Sequence, residues 1–148
     1  MNPSTPVKEV MSEEVFTVKK ENTINTINKI FEKKTFHHLP VIDKDRNLVG
    51  IISKEDILRL ISVRPSFSEK EFKKIQVGDI MTSKIVSLEP DDTIGLAADI
   101  FLANKFHALP VTENRKLMGI ITTYDLIKFS FTDPFEEDSA VEPFWQNQ

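Results

Sequence analysis

The chain contains the same sequence pattern twice, and this internal repeat limits the possible fold more than any other feature. With a shift of 70 residues, positions 11–42 align with positions 81–112 and are identical at 10 of 32 positions. With a shift of 69, positions 48–58 align with positions 117–127 and are identical at 5 of 11. A repeat of this length indicates two copies of one folding unit, each of about 55 residues.

Each copy begins with a predicted strand and a predicted helix. The β-branched runs Val15–Val18 and Ile85–Leu88 indicate the first strands. Thr23 and Thr93 are suited to cap the helices that follow. Apolar residues recur at helical spacing after both caps, at Ile24, Ile27, Ile30 and Phe31 in the first copy and at Ile94, Ala97, Ile100 and Phe101 in the second. These stripes predict that one face of each helix lies against a core.

A predicted hairpin and a second helix complete each copy. His37–Ile42 and Leu48–Ser53 are rich in Val, Leu and Ile and flank a polar turn, which predicts two antiparallel strands. A helix begins at or just before Asp56, with inward positions at Ile57, Leu58, Leu60 and Ile61 that are repeated at Leu126, Ile127 and Phe129. The predicted fold class is therefore α/β (α+β), with two β-α-β-β-α units that pack face to face because one unit alone is too small to cover its own sheet and helices.

The repeat also divides the chain. We expect a first repeat at 7–64, a linker at 65–78, a second repeat at 79–131 and a tail at 132–148. Ser68 and Glu71 have the spacing of a capping box, which predicts a short helix in the linker. The tail contains five acidic residues, no basic residue and the aromatic side chains Phe135, Phe144 and Trp145. It is expected to lie outside the repeat, either disordered or docked through its aromatic residues.

Composition excludes several classes of protein. The chain has no cysteine, so it can form neither a disulfide nor a cysteine-zinc site. A net charge of -4 argues against a nucleic-acid-binding protein, and no apolar run approaches the length of a spanning helix, which argues against membrane insertion and favours a cytoplasmic protein. The four glycines fit neither the phosphate-binding loop nor the dinucleotide-binding pattern. Signatures of the usual hydrolases are also missing, so an enzyme is not expected.

The paired pattern His-x-Leu-Pro-Val, a turn, then Gly-Ile-Ile-[Ser/Thr]-x-x-Asp resembles the CBS domain. Two copies in one chain resemble a CBS pair, or Bateman module, here without an effector domain. The resemblance covers about residues 7–131. It implies two repeats related by a pseudo-twofold axis, with clefts between them that bind AMP, ADP, ATP, S-adenosylmethionine or dinucleotides as regulatory ligands. No cofactor is implied to be required.

The resemblance also implies residue roles. Asp56 and Asp125 would hold the ribose hydroxyls, and Ser53 and Thr122 would lie near the phosphates. A carboxylate at the start of a helix can accept hydrogen bonds from two neighbouring hydroxyls, and free N–H groups there favour an anion. The alternative is that these residues only cap their helices. Weaker candidates for the adenine-binding and backbone part of the clefts are Thr17, Leu39, Ser87, Ala108 and Leu109.

The three histidines, His37, His38 and His107, all lie just before a Leu-Pro pair. They are candidates for contact with phosphate or, alternatively, half-buried residues at strand ends. A metal site is not expected, since no carboxylate has ligand spacing with them. Where the first copy has His38 and Lys54, the second has Ala108 and Thr123. The corner of the first copy is thus predicted to be more basic, with Lys54 either contacting phosphate or solvated.

The leading hypothesis is a regulatory module that senses an adenine nucleotide or other adenosyl ligand and signals to an unidentified protein partner or to its own oligomeric state. A homodimer is expected through helix faces around Ile57, Ile61, Leu126 and Phe129. The alternative is a ligand-free dimerisation scaffold whose acidic tail is the working part.

Overall fold

The computed structural model describes residues 1–104 and 106–132. The first repeat begins with a short 3-10 helix at Val7–Glu9 and continues with α1 (Ile24–Lys33), β1 (His38–Ile42), β2 (Leu48–Ser53) and α2 (Lys54–Val63). Two single-turn helices, α3 (Glu69–Phe72) and α4 (Val77–Ile80), lead to the second repeat, which consists of α5 (Ile94–Asn104), β3 (Ala108–Glu113), β4 (Lys116–Thr122) and α6 (Thr123–Thr132). This mixture confirms the predicted α/β class.

Local sequence determines where the first helices begin. The Thr23 hydroxyl accepts a hydrogen bond from the Thr26 N–H at 3.4 Å, and the Thr93 hydroxyl accepts one from the Leu96 N–H at 3.1 Å. Both threonines therefore occupy N-cap positions, as predicted. The inward faces carry the buried side chains Ile24, Ile27 and Phe31 in α1 and Ile94, Ala97 and Phe101 in α5.

Each repeat forms a two-stranded antiparallel hairpin. In the first, β1 pairs with β2 so that Pro40 lies opposite Ile51, and in the second, Pro110 lies opposite Ile120. Both hairpins contain an irregularity at the equivalent place, after Val41 and after Val111. The duplication therefore preserves the strand register as well as the residues.

The prediction of a strand at Val15–Val18 and at Ile85–Leu88 is wrong. Only the last residue of each run pairs: Val18 bridges to Val41 in parallel, and Leu88 bridges to Val111. The Val18 N–H donates to the Pro40 carbonyl at 3.1 Å, and the Ile42 N–H donates to the Val18 carbonyl at 3.0 Å. One step earlier in a parallel ladder, the donor would have to be the N–H of Pro40, which proline lacks. Pro110 stops the equivalent strand in the same way.

The structure contains two hydrophobic cores, and each takes a segment from outside its own repeat. Val7 is fully buried in the core of the second repeat, beside Leu88 and Ile94. Val77 is fully buried in the core of the first repeat, beside Val18 and Ile24. The segment that precedes the first helix of each repeat is therefore packed in the core of the other repeat.

The same crossing segments pair with strands of the opposite repeat. Ser12 and Ile120 exchange two backbone hydrogen bonds, at 2.9 and 3.0 Å. Thr82 and Ile51 do the same, also at 2.9 and 3.0 Å. Because of these bridges, the residues that follow Ser12 lie against the second repeat. The residues that follow Thr82 lie against the first.

Two of the four side chains expected on a dimer face lie in the cores instead. Ile57 is 1% exposed and Leu126 is 9% exposed, because α2 and α6 turn these residues toward their own repeats. Ile61 is 37% exposed, and Phe129 is partly buried against the second core. The large apolar side chains that α2 and α6 expose are Leu58, Ile61, Val63, Tyr124, Ile127 and Phe131. The prediction that Leu58 and Ile127 face inward is therefore wrong, because their helices turn them toward solvent.

The linker contains the predicted short helix. The Ser68 hydroxyl accepts from the Glu71 N–H at 3.3 Å, and the Glu71 carboxylate accepts from the Ser68 N–H at 2.6 Å, which completes a capping box for α3. The predictions for the acidic tail, including Phe135, Phe144 and Trp145, lie outside the described residues. Among the described helices, none is long and apolar enough to cross a membrane.

Candidate ligand clefts

Two equivalent capping boxes place a carboxylate at the start of α2 and of α6. In α2, Oδ2 of Asp56 accepts the Ser53 N–H at 2.8 Å, and the Ser53 hydroxyl accepts the Asp56 N–H at 3.1 Å. In α6, Oδ2 of Asp125 accepts both the N–H and the hydroxyl of Thr122, at 2.8 and 2.9 Å. The capping role is therefore real, but it uses only one oxygen of each carboxylate.

The second oxygens differ between the two copies. Oδ1 of Asp56 lies 3.5 Å from Nη1 of Arg59, one turn further along α2. Oδ1 of Asp125 makes no hydrogen bond to any residue in the described part of the chain. Since an ionised carboxylate accepts several hydrogen bonds, each Asp keeps capacity for a hydroxyl-bearing ligand.

The larger cleft, here called cleft A, has a volume of about 1030 Å³ and contains Asp125. Its walls come from both repeats: the start of α6 with Thr122, Thr123, Tyr124 and Asp125, the crossing segment with Ser12, Glu14, Val15 and Phe16, and the loop with Lys34, Thr35, Phe36 and His37. Phe16 and Phe36 pack together with ring centroids 5.8 Å apart. Cleft A therefore offers apolar, aromatic walls next to the helix-capping carboxylate of Asp125, a composition suited to a planar organic ring.

The smaller cleft, cleft B, has a volume of about 290 Å³ and contains Asp56. It reverses the contributions of the repeats: Ser53, Asp56 and Arg59 come from the first, whereas Thr82, Lys84, Ile85, Val86 and the stretch Phe106–Pro110 come from the second. Each cleft therefore joins the helix start of one repeat to the crossing segment that precedes the other repeat's first helix.

Both clefts share His38, Ser53, Glu55 and His107 as a common wall. The backbone holds the histidines beside the helix starts, because the Lys54 N–H donates to the His37 carbonyl at 2.9 Å and the Thr123 N–H donates to the His107 carbonyl at 3.1 Å. Burial lowers the pKa of His38, and the nearby imidazole of His107 lowers it further. A neutral His38 is thus favoured in the wall between the clefts.

Most of the residues selected from the sequence come together in this region. His37 and Thr122 line cleft A, Ala108 and Leu109 line cleft B, and Ser53, His38 and His107 line both, in addition to the two aspartates. Four selected residues line neither cleft: Lys54, Thr17, Leu39 and Ser87. Leu39 is fully buried in the first core, and the Ser87 hydroxyl lies 3.4 Å from that of Thr112.

Sequence reasoning missed the charged residues of the crossing segments. Glu14 lines cleft A and Lys84 lines cleft B, and the two are equivalent under the shift of 70. The reversal of charge was visible in the aligned repeats, but nothing local indicated that these positions face a cleft. Lys54 therefore does not account for a more basic corner in the first copy. The two clefts differ in charge at Glu14 and Lys84 instead.

The histidines were also considered as metal ligands. Within residues 1–104 and 106–132, no three His, Asp or Glu side chains are grouped so that they can hold a metal ion. His38 and His107 line both clefts, whereas His37 lines cleft A. The three imidazoles are therefore suited to contact with a ligand in cleft A, and two of them to contact with a ligand in cleft B.

Comparison with known proteins agrees with this geometry. The CBS domain family matches residues 7–63 and 77–131. A CBS domain-containing protein of Dictyostelium discoideum is 31% identical over 128 residues, covering 82% of this chain and 88% of that protein. Several other relatives are much longer: this chain spans 23% of a homoserine O-acetyltransferase of Methanohalobium evestigatum, to which it is 29% identical.

Solved structures of similar fold contain adenosyl ligands. The structure of CBSX2 in complex with AMP is 29% identical with a TM-score of 0.75, covering 85% of this chain and 96% of CBSX2. The CBS domain pair of MJ0100, in complex with 5′-methylthioadenosine and S-adenosyl-L-methionine, is 25% identical with a TM-score of 0.74, covering 87% and 98% of the two chains. The duplicated sequence, the crossed packing of the two repeats and the match of the family to both of them establish that this chain belongs to the CBS domain family, as a tandem pair.

Proposed function

We propose that this chain is a regulatory module that binds an adenosine-containing ligand in cleft A, cleft B or both. The observation that carries the proposal is the pair of helix-capping carboxylates, Asp56 and Asp125. Each lines a cleft, and in each only one carboxylate oxygen is used by the cap. The AMP, 5′-methylthioadenosine and S-adenosyl-L-methionine present in similar CBS structures support this class of ligand.

The architecture supports a way to turn binding into a signal. Each cleft is built from both repeats, so a bound ligand contacts the helix start of one and the crossing segment of the other. A ligand that prefers one arrangement of the repeats shifts the population toward it by its differential affinity. The chain then acts as a sensor, and the signal passes to a protein partner or to the oligomeric state.

We also propose that two copies associate through α2 and α6. Leu58 is 55% exposed and Ile127 is 58% exposed, although both lie on helices next to buried core residues. Apolar side chains that recur on adjacent helix turns form a face suited to a second copy of the chain. Dimer formation with no response to nucleotides would favour the alternative function, a dimerisation scaffold.

Thermal unfolding of the full chain with AMP, ADP, ATP, S-adenosylmethionine and NAD tests the proposal. Ligand at 100 times its dissociation constant stabilises the folded state by about 2.7 kcal/mol. The matched control is the double variant Asp56→Asn with Asp125→Asn, which should lose most of this stabilisation. A chain that shows no shift with any of the five compounds at millimolar concentration is not a sensor of adenosyl ligands.

A further inference from the structure

The charges of clefts A and B differ at one equivalent position. Glu55, His38 and His107 belong to both clefts and cannot distinguish them. Each cleft then adds one aspartate and one basic residue, which are Asp125 and Lys34 in cleft A and Asp56 and Arg59 in cleft B. With His37, which lines cleft A but not cleft B, counted as neutral, the remaining charged residues are Glu14 in cleft A and Lys84 in cleft B, a difference of two charges.

Glu14 and Lys84 occupy the same place on the same scaffold. Each lies two residues after a bridge to the opposite repeat, Ser12 with Ile120 in one case and Thr82 with Ile51 in the other. Both bridges have two backbone hydrogen bonds of 2.9 to 3.0 Å, so the two segments leave the strands in equivalent ways. The duplication has thus kept the geometry and reversed the charge.

The aspartates strengthen this difference. In cleft B, Arg59 lies 3.5 Å from Asp56 and offsets part of its negative charge, which leaves Lys84 as a cation with no ion pair among the described residues. In cleft A, the described residues provide no ion pair to Asp125, and Glu14 adds a further negative charge to the lining of the same cleft. A phosphate would therefore be attracted in cleft B and repelled in cleft A.

We propose that cleft B selects a phosphorylated adenosine ligand through Lys84, whereas cleft A, with Glu14, takes an adenosine ligand that has no phosphate. The proposal rests on the proposed function and adds a ligand class for each cleft. The volume of cleft B, about 290 Å³, is near the lower end of small-molecule sites and leaves room for no more than one mononucleotide. The larger cleft A has the aromatic side chains Phe16, Phe36 and Tyr124, which suit the uncharged parts of a ligand.

Calorimetric titration of the full chain with AMP and with adenosine tests the proposal, because the two probes differ only by the phosphate. For Lys84→Glu we expect AMP affinity to fall by about ten- to a hundred-fold, as for loss of one charge-assisted hydrogen bond, with adenosine affinity changed less than about two-fold. Lys84→Gln should give a smaller loss in the same direction. Raising the salt from about 0.05 to about 0.5 M should weaken AMP binding more than adenosine binding.

The reciprocal variant, Glu14→Lys, tests whether Glu14 keeps AMP out of cleft A. It should add a second AMP site, so that the stoichiometry rises from one to two per chain. In the swapped variant, Glu14→Lys with Lys84→Glu, we expect AMP affinity to depend on Asp125 rather than Asp56, as read from the corresponding Asp→Asn substitutions. Lys84 and Glu14 are both exposed, and thermal unfolding of each variant confirms that it is folded.

Two kinds of result would overturn the proposal. If AMP binds Lys84→Glu as it binds the original chain, or if AMP and adenosine lose affinity equally, Lys84 does not select phosphate. An unchanged stoichiometry in Glu14→Lys would equally contradict the role of Glu14. If neither probe binds the original chain at millimolar concentration, this inference fails, and the proposed function fails with it only if ADP, ATP, S-adenosylmethionine and NAD also give no thermal shift. Binding without charge dependence removes the inference alone.

Discussion

Met11 covers Gly119 so closely that a Cβ atom at position 119 would lie 2.7 Å from the methionine sulfur. The same Cβ would lie 2.8 Å from the carbonyl oxygen of Ser12, which belongs to the backbone of the crossing segment. Met81 covers Gly50 in the equivalent way, and neither glycine has a positive φ. The repeated glycine is therefore required by lack of space, because the segment that enters each cleft packs on it.

We predict that Gly119→Ala destabilises the chain more than Gly50→Ala. At Gly119 the added methyl group meets backbone, whereas the nearest atoms at Gly50 all belong to the flexible side chain of Met81. Overpacking of this kind costs about 1–3 kcal/mol, with the smaller value expected at Gly50. Urea denaturation of both variants measures the difference. Equal losses in the free energy of unfolding would show that the Ser12 carbonyl moves aside as easily as the Met81 side chain.

We predict that Asp125→Asn separates the cap from the ligand site. The Asn oxygen can still accept the Thr122 N–H, so the free energy of unfolding should change by less than about 0.5 kcal/mol, whereas Asp125→Ala should cost about 1 kcal/mol. Both variants should bind the ligand of cleft A about ten-fold more weakly or worse, since the charged acceptor is gone. Loss of stability without loss of ligand affinity would show that Asp125 serves only as a helix cap.

We predict that His38 makes stability depend on pH. Its pKa is lowered in the folded state by burial and by His107, with His37 acting in the same direction and Glu55 and Asp56 acting against it. The unfolded chain therefore takes up a proton first, and stability is highest above pH 6.5 and is lost as the pH falls through 6.5 toward the lower folded pKa.

The measurement for His38 is the slope of unfolding free energy against pH. His38→Ala introduces the residue that the second copy has at this position, Ala108, and should flatten the slope over that window. His38→Gln should flatten it as well while keeping a polar side chain. A slope that is the same in all three proteins would mean that other groups cause the loss.

We predict that Ile127→Lys prevents association of two copies. Ile127 is 58% exposed on α6, and a lysine there would be desolvated against the apolar face of the other copy. Analytical ultracentrifugation should show a dimer for the original chain and a monomer for the variant. Met118→Lys is the matched control, since Met118 is 39% exposed on β4 rather than on the helix face, and it should remain dimeric.

Features that depend on neighbouring residues could be predicted from the sequence. Thr23 and Thr93 cap their helices, and the Ser-x-x-Asp and Thr-x-x-Asp spacings place a capping carboxylate within three residues of its partner. These interactions form within one turn of helix, so the spacing of residue types is sufficient to specify them. The internal repeat then extended each prediction from one copy to the other.

Features that depend on distant residues required the tertiary structure. The predicted first strands do not form, because the backbone N–H donor that they need is missing from Pro40 and Pro110. These prolines lie more than 20 residues further along the chain. Lys54 was predicted to contact phosphate because it makes the first copy more basic than the second, which has Thr123 there, yet Lys54 lines neither cleft. A helix start determines where Asp56 lies, but not which segment faces it.

The sequence by itself determined that the chain is a duplicated CBS unit with a capped carboxylate in each copy. Only the tertiary structure decided that the segment before the first helix of each repeat crosses to the other repeat, so that Val7 and Val77 are buried in opposite cores. This crossing brings Glu14 to Asp125 in one cleft and Lys84 to Asp56 in the other. The physical reason is that hydrophobic burial acts between any surfaces that fit, whatever their separation along the chain, whereas sequence patterns report mainly on neighbours.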